Sequence, residues 1–225
     1  MASINGISIK KLNSFKGHEG ETLYQGDLYL GNKKIGSWSQ DAWSGPDQIH
    51  LDNKYNLEML NEQIAKLNPD KSLHGAGGGQ FYRIEYDLEL LAADYINLHH
   101  DEENFRNALD KGYSSIVVVS DGYHESVINL PVPYTNKSDK ELLNELSDMI
   151  NNIKSTFYKE NEFTKHIVKI YRSANDFNIG EPIDSKDITV KKNLNNMIDS
   201  AKDTAAKKQG ESKTAPTKKQ EIERN

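Results

Sequence analysis

The order of strand-type and helix-type segments restricts the fold of this chain more than any other feature of its 225 residues. Three strand-type stretches come first, followed by two helical ones, two more strands, a helix and a last strand. A doubly wound parallel sheet would need strands and helices to alternate regularly, which these segments do not do. We therefore expect an α+β fold whose antiparallel or mixed sheet consists of two hairpins and a C-terminal strand. Helices should pack on one face, and a disordered C-terminal tail should follow.

The N-terminal third predicts β structure. Residues 22–30 place Leu28 and Leu30 on one face, and residues 34–38 return after a turn at Gly31-Asn32-Lys33, where glycine and asparagine tolerate positive φ. Ile7, Ile9 and Leu12 predict a strand before this hairpin, and residues 41–47 predict a loop after it. A short third strand that pairs with the hairpin is predicted at Ile49-His50-Leu51. These segments could form a β-rich subdomain, residues 1–52, within a single α+β domain over residues 1–190.

Helical spacing dominates the middle of the chain. Apolar residues from Leu57 to Leu67 recur at intervals of three and four and predict a helix that ends at Asn68-Pro69. The glycine-rich residues 75–79 are expected to be a flexible connection to a second helix, which runs from Tyr82 to about Leu98. A further helical piece over residues 101–111 should end at Gly112, a residue type that favours helix C-termini.

The β-branched run over residues 115–120 predicts the first strand of a second hairpin, which turns at Asp121-Gly122. Ser138 and Glu141 form a capping-box pattern that predicts a long helix through about Phe157. A last strand is predicted over residues 167–171.

Charge and composition separate a tail from the body. Residues 191–225 carry nine basic and five acidic side chains, so residues 1–190 hold a net charge of −10 against −6 for the whole chain. After Ile198 the only aliphatic side chain larger than alanine is Ile222, and such a segment cannot offset the entropy of ordering. We expect residues 191–225 to be a basic, largely disordered tail. The acidic body argues against nucleic-acid binding except through this tail.

Several classes of protein are excluded by what the sequence lacks. The absence of cysteine rules out a disulfide scaffold and a thiolate nucleophile. No apolar run approaches the ~18 residues that a membrane helix needs, and residues 1–15 lack the apolar core of a secretory signal. We therefore expect a cytoplasmic protein, located in the host cytoplasm if a phage encodes it, with no membrane partner.

The first candidate site is N-terminal, where both tryptophans lie close to several acids. Aromatic rings beside carboxylates in a loop suit ligand stacking or a protein-binding hot spot. The candidate ligand- or partner-binding residues are Glu19, Glu21, Tyr24, Trp38, Asp41, Trp43 and Asp47. The alternative is structural: Trp38 fills the core and Trp43 covers the sheet edge.

Two weaker candidate sites lie further along. His74 with Gly77, Gly78 and Gly79 forms a possible anion-binding loop before a helix, although the GxGxxG spacing is absent and the alternative is a plain connection. His99, His100 and Glu103 are candidate metal ligands, because His99 and Glu103 would share one face of an unbroken helix. A third ligand to complete such a site is not identified, and an acidic helix junction is the alternative. The sequence predicts no catalytic residue and no cofactor.

One stretch resembles a known group of proteins. Gly20-Glu21, residues 24–36 and then Gly45-Pro46-Asp47 resemble the opening of small uncharacterised proteins of bacterial phages and integrative elements. The resemblance implies a phage or mobile-element setting and carries no activity.

Three functions follow as hypotheses. The first is a non-enzymatic accessory protein of a phage or mobile element, whose acidic surface binds and inhibits a host defence factor with a basic surface. The second is a small-ligand or nucleotide-binding protein, a sponge, with both tryptophans and the glycine-rich stretch in its pocket. The third is a metal-dependent hydrolase that uses His99, His100 and Glu103.

Overall fold

The computed structural model describes residues 1–71, 73–77, 80–134, 136–160 and 165–190. Residues Met1–Thr189 form one compact unit. The predicted tail, residues 191–225, lies outside the described residues.

Eleven strands and four α-helices make up the described part of the chain. The strands are β1 (Ser3–Ile4), β2 (Ile7–Lys16), β3 (Thr22–Leu30), β4 (Lys33–Ser39), β5 (Gln48–Leu51), β6 (Leu73–Gly77), β7 (Gln80–Ile84), β8 (Ser115–Ser120), β9 (Glu125–Leu130), β10 (Ile167–Tyr171) and β11 (Asn178–Ile179). The helices are α1 (Leu57–Leu67), α2 (Leu88–Asp110), α3 (Asp139–Glu145) and α4 (Ser147–Lys154). Short 3-10 turns lie at Pro69–Lys71, Val132–Tyr134 and Ala174–Phe177.

The α+β fold class is confirmed, with a mixed six-stranded sheet. Its strand order is β11-β1-β2-β3-β4-β5, and its pairs are antiparallel except for the parallel pair of β1 and β11. The predicted first hairpin is β3–β4, and the predicted third strand is β5. In the turn between β3 and β4, Gly31 adopts φ +58°, a conformation that costs glycine little.

The second hairpin lies in a separate sheet, a division that the sequence did not predict. β8 pairs with β9 on one side and with β10 on the other, which gives an antiparallel three-stranded sheet. Ile116 and Val118 of β8 belong to the larger core with α2, whereas Val117 and Val119 pack with α3 and α4. Helices therefore cover both faces of this small sheet, and its central strand is continuously apolar because neither face meets water.

Helix α2 contacts both sheets. It has 23 residues, a length of about 35 Å, and touches β1 and β2 of the larger sheet and β8 of the smaller. The Tyr95 hydroxyl donates a 3.0 Å hydrogen bond to the Ile9 carbonyl of β2. Further along, Glu102 is buried and accepts hydrogen bonds from the Ala2 backbone and from Arg106. These contacts set the helix across the junction of the two sheets.

Two predictions about α2 were wrong. Residues 82–84 belong to β7, and the helix begins at Leu88, where the Asp87 carboxylate accepts the Leu90 N–H at 3.0 Å. The apolar spacing that began at Tyr82 combined a strand with the helix after it. The helix is also unbroken through residues 98–101, and it ends before Gly112, as predicted.

The predicted helix over residues 138–157 is two shorter ones. The capping box at its start is confirmed, since the Glu141 N–H donates to the Ser138 hydroxyl and the Glu141 carboxylate accepts the Ser138 N–H. A turn at Leu146 separates α3 from α4. After Lys154 the hydroxyl of Ser155 donates to a nearby carbonyl, a local bond that competes with helix continuation.

Candidate functional site

Residues 41–47, which we call the Trp43 loop, connect β4 to β5 and have a fixed shape. Asp41 Oδ2 accepts hydrogen bonds from the backbone N–H groups of Trp43 at 3.0 Å and Gly45 at 2.9 Å. These two donors, Gly45 first, lower the pKa of Asp41. Ser44 adopts φ +62°, a left-handed conformation that a non-glycine residue keeps only where its surroundings enforce it.

Trp43 is held against a neighbouring turn and lies in solvent. Its side chain is 72% exposed. Its ring stacks on that of His18 with the centroids 4.2 Å apart, and the His18 N–H donates to the Ala42 carbonyl at 2.9 Å. The loop therefore presents a large aromatic surface whose orientation is set before any partner arrives.

Trp38 belongs to the core. Only 1% of it is exposed, and its Nε1 donates a 2.7 Å hydrogen bond to Asp47 Oδ2. Burial, followed by the nearby charges of Glu89 and Asp87, raises the pKa of Asp47 to about 6, while the indole hydrogen bond opposes the rise. With Trp38 inside and Trp43 in solvent, the two rings do not form a stacking pair for one ligand.

The other three predicted N-terminal residues are dispersed. Glu19 is exposed near His18, while the Glu21 carboxylate lies over Gly17, where a Cβ atom would come within 2.1 Å of Oε1. The Tyr24 hydroxyl turns towards α2 and lies 3.4 Å from His100 Nε2. The structure thus brings Asp41, Trp43 and Asp47 to one loop, with Glu19 beside it and Trp38 bonded to Asp47 from β4. Glu21 and Tyr24 lie apart.

The histidine cluster on α2 has only part of the geometry of a metal site. His99 Nε2 lies 3.5 Å from Glu103 Oε1, one helical turn along, as predicted. His100 lies against Tyr24, and its ring centroid is 6.3 Å from that of His99. Within the described residues, no group of three or more His, Cys, Asp or Glu side chains is placed to hold a metal ion.

The glycine-rich stretch lies between two helices, α1 and α2, as expected, but it contains paired strands where we expected a flexible connection. Gly75 and Gly77 lie in β6 and pair with Tyr82 and Gln80 of β7, so this region is a hairpin. The next helix, α2, starts only at Leu88 and is capped by Asp87, so it does not complete a phosphate cradle with this stretch. His74 lies in β6, Gly78 and Gly79 lie outside the described residues, and anion binding there stays a prediction.

A cleft that the sequence did not reveal lies between α2 and the end of the three-stranded sheet. The strand register places Ile167, Ser120 and Glu125 side by side in one row across β10, β8 and β9. Opposite this row, α2 contributes Asn97 and Leu98, and the cleft encloses about 420 Å³.

Two lysines line this cleft, and each lies beside a carboxylate. Lys71 Nζ lies 2.7 Å from Asp94 Oδ2, which is also part of the lining. Lys169 Nζ lies 3.0 Å from Oδ2 of Asp101, a residue behind the lining that also accepts a 2.6 Å hydrogen bond from the Tyr171 hydroxyl. Asp101 is completely buried. Burial and this hydrogen bond raise the pKa of Tyr171.

The turn between β8 and β9 orients a histidine at the cleft. Asp121 is buried and accepts the backbone N–H groups of Tyr123, His124 and Tyr158 at 2.7–2.9 Å. His124 Nδ1 lies 3.1 Å from Asp121 Oδ2. Although burial opposes it, these donors, led by the His124 and Tyr123 N–H groups, hold the pKa of Asp121 well below its usual value. Asp121-Gly122 signals only a turn in the sequence, so the orienting role of Asp121 was not predicted.

Comparison with family models, curated proteins and solved structures gives no match for this chain. Among the described residues, none of the helices has the length and apolar character needed to cross a membrane.

Proposed function

We propose that this protein is a non-enzymatic binding protein whose Trp43 loop docks onto a partner protein with a basic surface. The observation that carries the proposal is Trp43 itself. It has the largest exposed fraction of any large apolar side chain in the described part of the chain. Exposed aromatic rings of this kind are enriched among the residues that dominate binding energy.

The rigidity of the loop supports this role. Asp41 holds the backbone on both sides of Ser44, and His18 stacks on the Trp43 ring. Because the side chain is already ordered, little conformational entropy remains to be lost when a partner covers it.

Charge supports a basic partner. Residues 1–190 carry a net charge of −10. Glu19, Asp41 and Asp47 lie on or beside the Trp43 loop, and Glu89 accepts the Asp47 N–H at 3.3 Å. A negative surface around an aromatic anchor speeds association with a positive partner and makes binding sensitive to salt.

The N-terminal resemblance supports a phage or mobile-element setting for this activity. In that setting the partner is a host factor, and inhibition of a defence component is the role we propose. Operon context would test this part independently of the loop.

The test is capture of a partner by immobilised full-length chain at low salt. We expect the wild type to retain a defined basic protein that high salt releases. Trp43→Ala should lose this protein, and a matched control, Val132→Ala, should keep it because Val132 is similarly exposed at 67% and carries no aromatic ring.

The decisive comparison is then a binding titration of the purified partner against the three forms of the chain. Equal affinity of Trp43→Ala and wild type would contradict docking through the loop. Affinity that does not change with salt would contradict the role of the acidic surface.

A further inference from the structure

A groove lies between the first turns of α1 and the segment that leads from β7 into α2. Its lining comes from residues 57–62 on one side and residues 84–87 on the other, and it encloses about 770 Å³. The side-chain oxygen of Asn61 accepts the Leu88 N–H at 3.1 Å, so a hydrogen bond joins the two sides. This groove, which we call the α1–β7 groove, therefore needs little rearrangement to take up a ligand.

The charged residues that line the α1–β7 groove are all acidic. Among the described residues of the lining there are four carboxylates and no lysine, arginine or histidine, and the four are Glu58, Glu62, Glu85 and Asp87. Asp87 caps α2, whereas the other three carboxylates form no ion pair with any described residue. The cleft beside α2 differs, because lysines are part of its lining.

A lysine behind the lining does not balance these charges. Lys71 Nζ lies over the Tyr86 ring, 4.8 Å from its centroid, but it is bonded to Asp94 at 2.7 Å. The Tyr86 hydroxyl also donates to Asp94, at 2.7 Å. The α1–β7 groove therefore keeps an excess of negative charge.

The same groove exposes apolar surface between its carboxylates. Ile84, at the end of β7, is 39% exposed, and Leu57 and Tyr86 are the other apolar residues of the lining. Lysine and arginine side chains are apolar along their stems and charged at their ends, so they suit a surface of this kind. An aliphatic side chain between two such residues would cover Ile84 and exclude water from it.

The α1–β7 groove adjoins the Trp43 loop. Asp47, the last residue of that loop, donates its backbone N–H to the Glu89 carboxylate at 3.3 Å, and Glu89 follows Asp87 of the lining by two positions. Burial is the main cause of the raised pKa of Asp47, and the charge of Asp87 adds to it, which agrees with this short separation. One negatively charged surface thus extends from the loop to the groove.

From these observations we infer that the α1–β7 groove binds a basic segment of a partner protein, in which lysine or arginine side chains flank an aliphatic one. The basic groups lie at Glu58, Glu62 and Glu85, and the aliphatic side chain lies against Ile84. The inference rests on the proposed function, since the segment belongs to the same basic partner that docks on the Trp43 loop. An acidic segment is not favoured, because like charges would face each other across the interface.

The test measures the binding of a peptide to nitrogen-15 labelled full-length chain. The probe is a hexapeptide, blocked at both ends, with the sequence lysine-leucine-lysine-lysine-leucine-lysine. One control peptide carries glutamine in place of lysine, and the other carries serine in place of leucine. At low salt we expect the probe to shift the amide resonances of Glu62, Ile84 and Glu85, and each control peptide to bind about fivefold or more weakly. Equal binding of the probe and either control peptide would overturn the proposal.

A double variant tests whether the carboxylates of the groove are responsible. Glu58→Gln with Glu62→Gln removes two charges from exposed side chains and should leave the fold intact. We expect this variant to bind the probe about threefold or more weakly than the wild type. The matched control is Asp110→Asn with Asp148→Asn, which removes two exposed carboxylates outside the groove and should bind as the wild type does. Unchanged affinity in the first double variant would overturn the proposal.

Two further comparisons identify the occupant and separate this proposal from the docking function. Trp43→Ala should bind the probe as the wild type does, because Trp43 is not part of the groove. Capture of a partner that depends on Trp43, without binding of the probe, would overturn the role of the groove and leave the docking function standing. If the groove resonances shift when the concentration of the chain alone is raised, the occupant is a second copy, and the assignment to a basic partner would be overturned.

Discussion

The indole Nε1 of Trp38 donates a 2.7 Å hydrogen bond to Asp47 Oδ2, and this bond joins the larger core to the Trp43 loop. Trp38 is almost wholly buried, and Asp47 is the last residue of the Trp43 loop, directly before β5. The buried tryptophan therefore anchors the C-terminal end of the loop that carries the exposed Trp43.

Replacing Asp47 tests this bond. Asp47→Leu removes the acceptor and leaves a buried indole N–H without a partner, so we expect the free energy of unfolding to fall by about 1–3 kcal/mol. Asp47→Asn keeps an acceptor and removes the charge that burial, Glu89 and Asp87 disfavour, so at pH 7 it should be at least as stable as the wild type. Urea denaturation at pH 7 measures both. A similar loss in both variants would show that charge, and not hydrogen bonding, is the contribution of Asp47.

The raised pKa of Asp47 also predicts a pH dependence. Its folded-state pKa of about 6 exceeds its ordinary value of 3.8, so the folded state binds the proton more tightly between these values. Asp47 should therefore lower the stability of the wild type as the pH rises from 4 to 6. Urea denaturation of the wild type and Asp47→Asn across this interval isolates the effect as the difference between the two curves. Parallel curves would contradict it.

Asp121 organises the turn that borders the cleft. Asp121→Ala leaves three backbone N–H groups without their acceptor, and we expect a loss of about 2–4 kcal/mol in the free energy of unfolding. The matched control is Asp70→Ala, since Asp70 is exposed in a short 3-10 turn and should change stability by less than about 0.5 kcal/mol. Chemical denaturation of both variants makes the comparison, and equal stability of the two would refute the role of Asp121.

The two tryptophans should report separately in fluorescence. Trp43 is 72% exposed and Trp38 is 1% exposed, so iodide should quench the emission of Trp43 and spare that of Trp38. We expect Trp43→Phe to emit at shorter wavelength than the wild type and to resist iodide. Strong quenching in this variant would place Trp38 in contact with solvent.

Gly36 sets the close approach of β4 to β5, on either side of the Trp43 loop. A Cβ atom there would lie 2.1 Å from the backbone oxygen of His50. Gly36→Ala should therefore destabilise the chain by about 1–3 kcal/mol or more, because backbone and not a flexible side chain must move. Ser37→Ala in the same strand is the control, and thermal unfolding of both variants measures the difference.

Local signals in the sequence were sufficient for much of the fold. The turn at Gly31, the apolar spacing from Leu57 to Leu67 and the Ser138 capping box each lie within a few residues, and all three are confirmed. The start of α2 was predicted wrongly because Ile84, which lies in β7, precedes Leu88 by four residues. Apolar residues on one face of a helix have the same spacing. Local spacing does not distinguish these two cases.

The sites depend on contacts between distant segments. The stack of His18 on Trp43 joins two turns, and the Lys169–Asp101 pair joins β10 to α2 across sixty-eight positions in the chain. Side-chain type and spacing in the sequence give no information on such contacts. The histidines of α2, which the sequence does place together, are directed to different neighbours.

Helix α2, which packs against both sheets, affects how the chain unfolds. Leu91 and Tyr95 on one half of it, and Phe105 and Ala108 on the other, are buried in one continuous core. Unfolding of either sheet alone would expose half of this helix to water, so we expect the two sheets to unfold together. Met1–Thr189 should lose its structure in one cooperative step, and heat should not leave a surviving half.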